Sequence, residues 1–377
     1  MLVKDAAAQI GTQAARGKRN VRRTVCAAAL VVAVMMPATG GSGTAFAYDA
    51  GATEEEPVLL ELELLELHFE QLRRLERRLK ERSAAGARLG ELPQLDRKPE
   101  IERRLRPKLV PRRRSALYPS LFETHDIVAY YGNPRSDRMG ILGEQPLEQT
   151  AELLKRRAAE YAELSREAGR KVLPGFHLVY ATVFPDGELG RLPEALLTKW
   201  IEYALNRDVL VILDHQIGRH SVERAITEML PYLRYPNVHL AIDPEWATEV
   251  PGQEVGGVHA EEVNAAQEMI QEYLIDNDLP GRRVFVVHQF HRRMIEEAHL
   301  VRSDFKRVDV VHNMDGFGSP RIKLNTWNYL LRFDNLPLKG FKLFYPKSWR
   351  AGGYDDPLMT PAEVLQLEPR PVFIQYQ

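Results

Sequence analysis

Val238-His239-Leu240-Ala241-Ile242-Asp243-Pro244-Glu245-Trp246 is a short apolar run that stops at two carboxylates separated by one residue. Side chains along a strand alternate between faces, so His239, Ala241, Asp243 and Glu245 share one side while Leu240 and Ile242 pack the other. Acids projecting from the end of a buried strand are costly unless hydrogen-bonded, paired, metal-bound or opened to water. An isolated pair of this kind suits a salt-bridged strand end as well as a functional site. The neighbouring strands decide between the two, because they repeat the pattern.

Working outward, similar apolar runs occur at 127–132, 172–179 and 209–215 before this stretch, and at 284–289, 308–315, 341–345 and 372–376 after it. Helical periodicity fills the intervals at 147–168, 194–206, 222–233, 260–279, 292–299, 323–332 and 361–367. Strands rich in Val, Ile, Leu and Phe that alternate with helices call for a parallel sheet covered by helices. Repeated eight times in roughly 260 residues, the economical closure is a (β/α)8 barrel of the TIM type. A doubly wound open sheet is the alternative, but no glycine-rich phosphate loop follows the first strand, which argues against a Rossmann site. Links into the strands are terse, as in Arg207-Asp208 and Pro280-Gly281-Arg282, whereas links out of them at 133–146, 181–193, 248–257 and 346–360 are long. Barrel enzymes place their sites on the elaborated, carboxyl-terminal side.

The segments before the barrel read differently. Residues 1–47 resemble an export signal, with basic Lys18, Arg19, Arg22 and Arg23, an apolar core and an Ala45-Phe46-Ala47 exit before Tyr48. Thr24-Val25-Cys26 departs from a twin-arginine continuation, which leaves general secretion, with a retained signal-anchor as the alternative. Cys26 is the only cysteine, so the mature chain would hold no disulfide and no thiolate metal ligand. Within 48–95, Leu65, Phe69, Leu72, Leu75 and Leu79 form the apolar stripe of an amphipathic helix, which needs a second copy, the main domain or a membrane surface to cover it. Residues 96–117 are basic and proline-spaced, as expected of an extended tether that could contact anionic envelope polymer or lipid headgroups. The barrel domain is expected at 118–377. A net formal charge of -1 offers no footprint for nucleic acid.

At the strand exits stand Tyr131 and Asn133, His177, Asp214, His215 and Gln216, Asp243, Glu245 and Trp246, His288 and Gln289, Asn313 and Asp315, Lys342 and Tyr345, and Gln375. Polar groups converging on one concavity mark a site, and three chemistries can be assembled from them. Glycoside hydrolysis needs a protonated acid beside the leaving oxygen and a second carboxylate, or a group of the substrate itself, to meet the developing cation. Glu245 is the expected acid, raised by its like-charged neighbour Asp243, with Asp214 or Asp315 in support. No cofactor is expected for that chemistry. A divalent metal is the alternative, with His177, His215, Asp243, Glu245, His288 and Asp315 as plausible ligand types, although no tight ligand pair occurs. Lys342 could form a Schiff base, but a buried lysine is more commonly a carboxylate's ion-pair partner.

Asp243-Pro244-Glu245 on the fourth strand resembles the end of the acidic signature of chitinase-like glycosidases, and Met314-Asp315 resembles their sixth-strand motif. Ala241 and His239 stand where that family carries further aspartates, and Trp246 follows the glutamate. The resemblance implies a carbohydrate substrate and Glu245 as acid. More broadly, Tyr131-Gly132-Asn133-Pro134, Val287-His288-Gln289-Phe290 and Asp315-Gly316-Phe317-Gly318 resemble a group of secreted bacterial barrel proteins, which implies the fold and export but no activity. A carbohydrate-binding barrel without turnover is the non-enzymatic reading, with Tyr130, Tyr131, Tyr180, Trp246, Phe290, Phe317, Tyr345 and Trp349 as stacking surfaces. Trp200, Tyr203 and Trp327 have helical spacing and are expected in the core.

Overall fold

The computed structural model describes residues 118–184, 186–346 and 353–377. The expected export signal, leucine-rich helix and basic tether lie outside the described residues, as does Trp349. In chain order the elements are β1 (His125–Asn133), β2 (Ser136–Gly140), α1 (Leu147–Ser165), β3 (Lys171–Val183), β4 (Leu189–Arg191), α2 (Glu194–Leu205), β5 (Leu210–Gln216), α3 (Val222–Met229) and β6 (Val238–Asp243). They continue with β7 (Val258–His259), α4 (Ala260–Asp276), β8 (Arg283–Gln289), β9 (Ile295–Glu296), β10 (Val308–Met314), α5 (Pro320–Leu330), β11 (Lys339–Leu343), α6 (Pro361–Leu365) and β12 (Phe373–Tyr376).

Eight of these strands, one for each apolar run, pair in parallel in the order β1, β3, β5, β6, β8, β10, β11, β12, and β12 returns to β1. The sheet is therefore a closed (β/α)8 barrel and not an open doubly wound sheet. Two of the long exits become strands of their own: β2 folds back antiparallel on β1, and β4 on β3. Gly140 makes the first return possible, since at φ 90 a Cβ there would stand 2.4 Å from the Tyr131 carbonyl oxygen.

Alternation sorts the barrel's side chains into an outer and an inner core. Outward-facing Val128, Leu178, Leu213, Leu240, Ile242, Phe285, Val287 and Ile374 pack against helix residues such as Leu154, Ile201, Ile226 and Ile270. Inward-facing Ile127, Ala129, Ile212, Ala241, Val284, Val286, Val311 and Phe373 fill the interior, with Phe122 beneath. Each fully buried aliphatic or aromatic side chain contributes about 1.5–3 kcal/mol. At the amino-terminal end, Arg170 and Arg370 hold Asp126 at 2.7 and 2.6 Å, and Arg282 holds Asp309 at 2.6 Å.

Two helical expectations are corrected. Residues 292–299 form no α-helix: a 3-10 turn at Arg292–Met294 leads into β9, whose Ile295 and Glu296 pair with Val258 and His259 of β7. Glu297 then takes left-handed backbone at φ 54, which a continuing right-handed helix does not permit. The pattern at 222–233 also stops early, with α3 ending at Met229 and Leu230–Arg234 continuing as a 3-10 helix with proline in its first turn. Trp200 and Trp327 are buried as expected, while Tyr203 is partly buried against the core.

Candidate active site

Above the apolar interior, the next inward positions are polar on nearly every strand, and register sets them side by side. Tyr131 neighbours His177, His288 neighbours Asn313, Asn313 neighbours Gly340, and Lys342 neighbours Gln375. Asp214 and Asp243 enter the same layer from β5 and β6, while Asp315 and Glu245 follow the ends of β10 and β6. All of them are buried.

A chain of charges crosses this layer. His177 Nε2 lies 3.2 Å and His288 Nε2 3.4 Å from Asp214 Oδ2. The other ring nitrogen of His288, Nδ1, lies 3.0 Å from Asp315 Oδ2, and Lys342 Nζ lies 2.7 Å from Asp315 Oδ1. Tyr131 covers the ammonium, its ring centre 4.0 Å from Lys342 Nζ. At the mouth, single carboxylate oxygens of Asp243, Glu245 and Asp315 all lie within 4.8 Å of one another. Asp243 Oδ1 also accepts the backbone N–H of Glu245 at 3.3 Å, which fixes the short turn Pro244–Trp246.

These surroundings separate the acids. Burial, reinforced by the charges of Glu245, Asp315 and Asp214, raises the Asp243 carboxyl well above the usual carboxylate range. Burial would raise Asp315 as well, but Lys342 and His288 hold it below that range. Burial opposes the ionised form of Asp214 as well, but the neighbouring His288 and His177 rings hold its carboxyl well down. Burial lowers His177 to about 4, so it is neutral at pH 7. Burial pushes His288 the same way, yet Asp315 and Asp214 bring it up to about 10. Glu245, 8 % exposed, lies at the mouth of this layer.

The oxygens of Asp243, Glu245 and Asp315, and separately His177, Asp214 and His288, have the mutual spacing of metal ligands. Their existing contacts suit a cation poorly. Both Asp315 oxygens already face cationic nitrogens, so a divalent ion there would sit beside an ammonium and an imidazolium. Both ring nitrogens of His288 already lie beside carboxylate oxygens, at 3.4 and 3.0 Å, so an ion bound by that ring would have to displace one of these contacts.

Tyr131, His177, Asp214, Asp243, Glu245, His288, Asn313, Asp315, Lys342 and Gln375 thus share one cluster. The remaining expected site residues are engaged elsewhere. His215 faces outward, 3.5 Å from Glu228 on α3. Gln216 accepts the Val183 N–H at 2.9 Å, and Asn133 donates to Thr182 Oγ1 at 3.2 Å. Gln289 bonds His312 at 2.6 Å and donates to the His291 carbonyl, while Tyr345 accepts from Arg157 at 2.9 Å and stacks on Tyr376. Trp246 is partly buried at the end of its turn. The side chain missed by the sequence reading is Lys323, which donates to the carbonyls of Gly316 and Lys342, each at 2.7 Å, and pairs with Asp355 at 3.1 Å. Its signal was its place in the buried stripe Lys323, Thr326, Trp327 and Leu330 of α5.

The chain is a (β/α)8 barrel with a buried charge network at its carboxyl-terminal mouth. Solved structures similar to it include a chitinase from Chromobacterium violaceum ATCC 12472, at 11% identity and TM-score 0.33 over 58% of this chain and 68% of that one. A family 18 chitinase from Crocus vernus is similar at 13% identity and TM-score 0.35 over 54% of this chain and 82% of that one. No protein-family model matches the chain, and no curated protein matches it.

Proposed function

We propose that the barrel is a glycoside-hydrolase-like catalyst that cleaves a carbohydrate by carboxylate acid/base chemistry, with Glu245 as general acid. The observation that carries this reading is the trio Asp243, Glu245 and Asp315, whose oxygens lie within 4.8 Å while burial and the neighbouring acids raise the Asp243 carboxyl well above the usual carboxylate range. In the proposed step Glu245 protonates the glycosidic oxygen as the bond to the sugar breaks, and later recovers a proton from the attacking water. Asp243 is the adjacent proton store, able to pass its proton to Glu245 as the charge on Glu245 changes. Asp315, kept ionised by Lys342 and His288, faces the developing positive charge. The nearest oxygens of the three acids are closer together than the two acids of an inverting pair. The group that meets the developing cation is then a second carboxylate or a group of the substrate itself.

The proposal extends to the cell: an exported chain, tethered by its basic segment near anionic envelope polymer or lipid headgroups, acting on an envelope or extracellular carbohydrate. The supporting observation there is sequence alone. The test is to incubate the full chain with a panel of envelope and extracellular polysaccharides and measure new reducing ends. New ends that disappear in Asp243→Asn support the reading. Saturable binding with no new ends from a folded protein would favour a binding barrel without turnover.

A further inference from the structure

We propose that His288 is a positioning residue, a doubly protonated imidazolium wedged between Asp214 and Asp315 that keeps both acids ionised and leaves the transferable proton to Asp243 and Glu245. The inference deepens the acid/base reading and rests on it for its catalytic consequence. The protonation state itself rests on geometry. A neutral imidazole has one donor and one acceptor, yet both nitrogens of this ring face carboxylate oxygens, at 3.4 Å for Nε2 and 3.0 Å for Nδ1. Nε2 approaches Asp214 without a formed hydrogen bond, so it is the proximity of two carboxylates, one at each nitrogen, that favours a proton on both. A ring with one bare nitrogen would set a lone pair against a buried carboxylate.

The groups around the ring fit that state. The His177 ring meets it edge-on at 5.3 Å and is neutral, so it adds no competing charge. Tyr131 lies 6.2 Å away, edge-on, with the ammonium of Lys342 under its own ring. Lys342 shares Asp315 with His288 through the other carboxylate oxygen, so two cations and two anions alternate across the layer as Asp214, His288, Asp315, Lys342. Asp243 completes the surroundings from β6, its carboxyl raised by burial and by Glu245, Asp315 and Asp214.

The amides beside the ring can accommodate that state. Asn313 Nδ2 stands 3.3 Å from His288 Nδ1 and 3.0 Å from Gln375 Oε1, while Asn313 Oδ1 and Gln375 Nε2 are buried without hydrogen-bond partners among the described residues. Turning both amides end for end puts Asn313 Oδ1 before the His288 Nδ1–H and Gln375 Nε2 against the same oxygen. Asn313 Nδ2 and Gln375 Oε1 then occupy the two unpartnered positions, so the amides accommodate a protonated Nδ1 without selecting it.

The test is long-range proton–nitrogen correlation on the full chain labelled with nitrogen-15 histidine, with the His288 signals assigned by their loss in His288→Gln. At about pH 8, where an ordinary histidine is neutral, both His288 nitrogens are expected at protonated positions and His177 in a neutral pattern. A His288 ring with one bare nitrogen at that pH overturns the proposal. Should His288→Gln not fold, Asp315→Asn serves: it is expected to lower the His288 titration by about one unit or more, and an unchanged His288 overturns the bridge. The spectra read the ring directly, so a protein that cleaves no glycan can still support the imidazolium. A neutral His288 in an active enzyme sinks this inference and leaves the acid/base reading standing.

Discussion

A Cβ placed on Gly340 would stand 2.3 Å from Asn313 Oδ1 and 3.2 Å from the Asn313 Cα. At the residue scale this shows how the polar layer is built: one strand gives up its side chain so that its neighbour's amide can lie flat across the barrel. Gly340→Ala should therefore displace Asn313 and cost about 1–3 kcal/mol, the usual cost of overpacking a filled core. Urea denaturation measures it, and an unchanged midpoint would mean that the layer has slack. Asp243 and Glu245 were legible from the sequence because strand alternation and a Pro-linked acidic pair are local features. The shift of Asp243 itself was not, because it comes from burial at 3 % exposure and from Glu245, Asp315 and Asp214, two of which reach it from other strands.

At the element scale, the loops after β10 and β11 are fastened from below by α5. Lys323 reaches from the buried stripe of that helix to the Gly316 and Lys342 carbonyls, and Asp355 closes the knot by accepting the Gly318 and Phe344 N–H groups at 3.0 and 2.9 Å. Lys323→Met leaves Asp355 as an uncompensated buried acid, a change that costs about 3–5 kcal/mol when one partner of a buried pair is removed. Thermal unfolding followed by circular dichroism checks it, and a loss under about 1 kcal/mol would show that the pair is dispensable. The eight strands were legible because buried parallel strands announce themselves as continuous apolar runs. Residues 292–299 were misread because Met294, Ile295 and Ala298 mimic helical spacing, while the pairing of β9 with β7 depends on residues some forty positions away. Pro231 was the unused sign that α3 stops at Met229.

Across the whole molecule, buried histidines of opposite behaviour bracket the stable pH range. Burial lowers His177 to about 4 and His239 to about 3, so the stability gained by keeping them neutral is complete above the unfolded value of 6.5 and is lost as pH falls through 4 and 3. His288 is raised to about 10 by Asp315 and Asp214 against the effect of burial, so its contribution is complete below 6.5 and is lost as pH rises through 10. Asp243, with a raised carboxyl, works against the acid limb by favouring the folded state as pH falls. The unfolding temperature should peak near neutrality and decline on both sides, with the alkaline decline shallower in His288→Gln. A plateau through pH 10 in the unaltered chain would contradict that account. The barrel and the side of its site were legible because strand count and loop lengths are global patterns. The alternating ion chain was not, since it depends on which of two adjacent residues, Asp214 or His215, turns inward. The central claim, that Glu245 is a general acid, is tested most directly by the leaving-group dependence of Glu245→Gln. Its cleavage of the glycan identified on the panel is compared with cleavage of the same sugar carrying a dinitrophenyl group, which departs without protonation. The account predicts a loss of about 10²–10⁴-fold on the natural bond and near-normal formation of dinitrophenol. Equal losses on both substrates, or none on either, would contradict it.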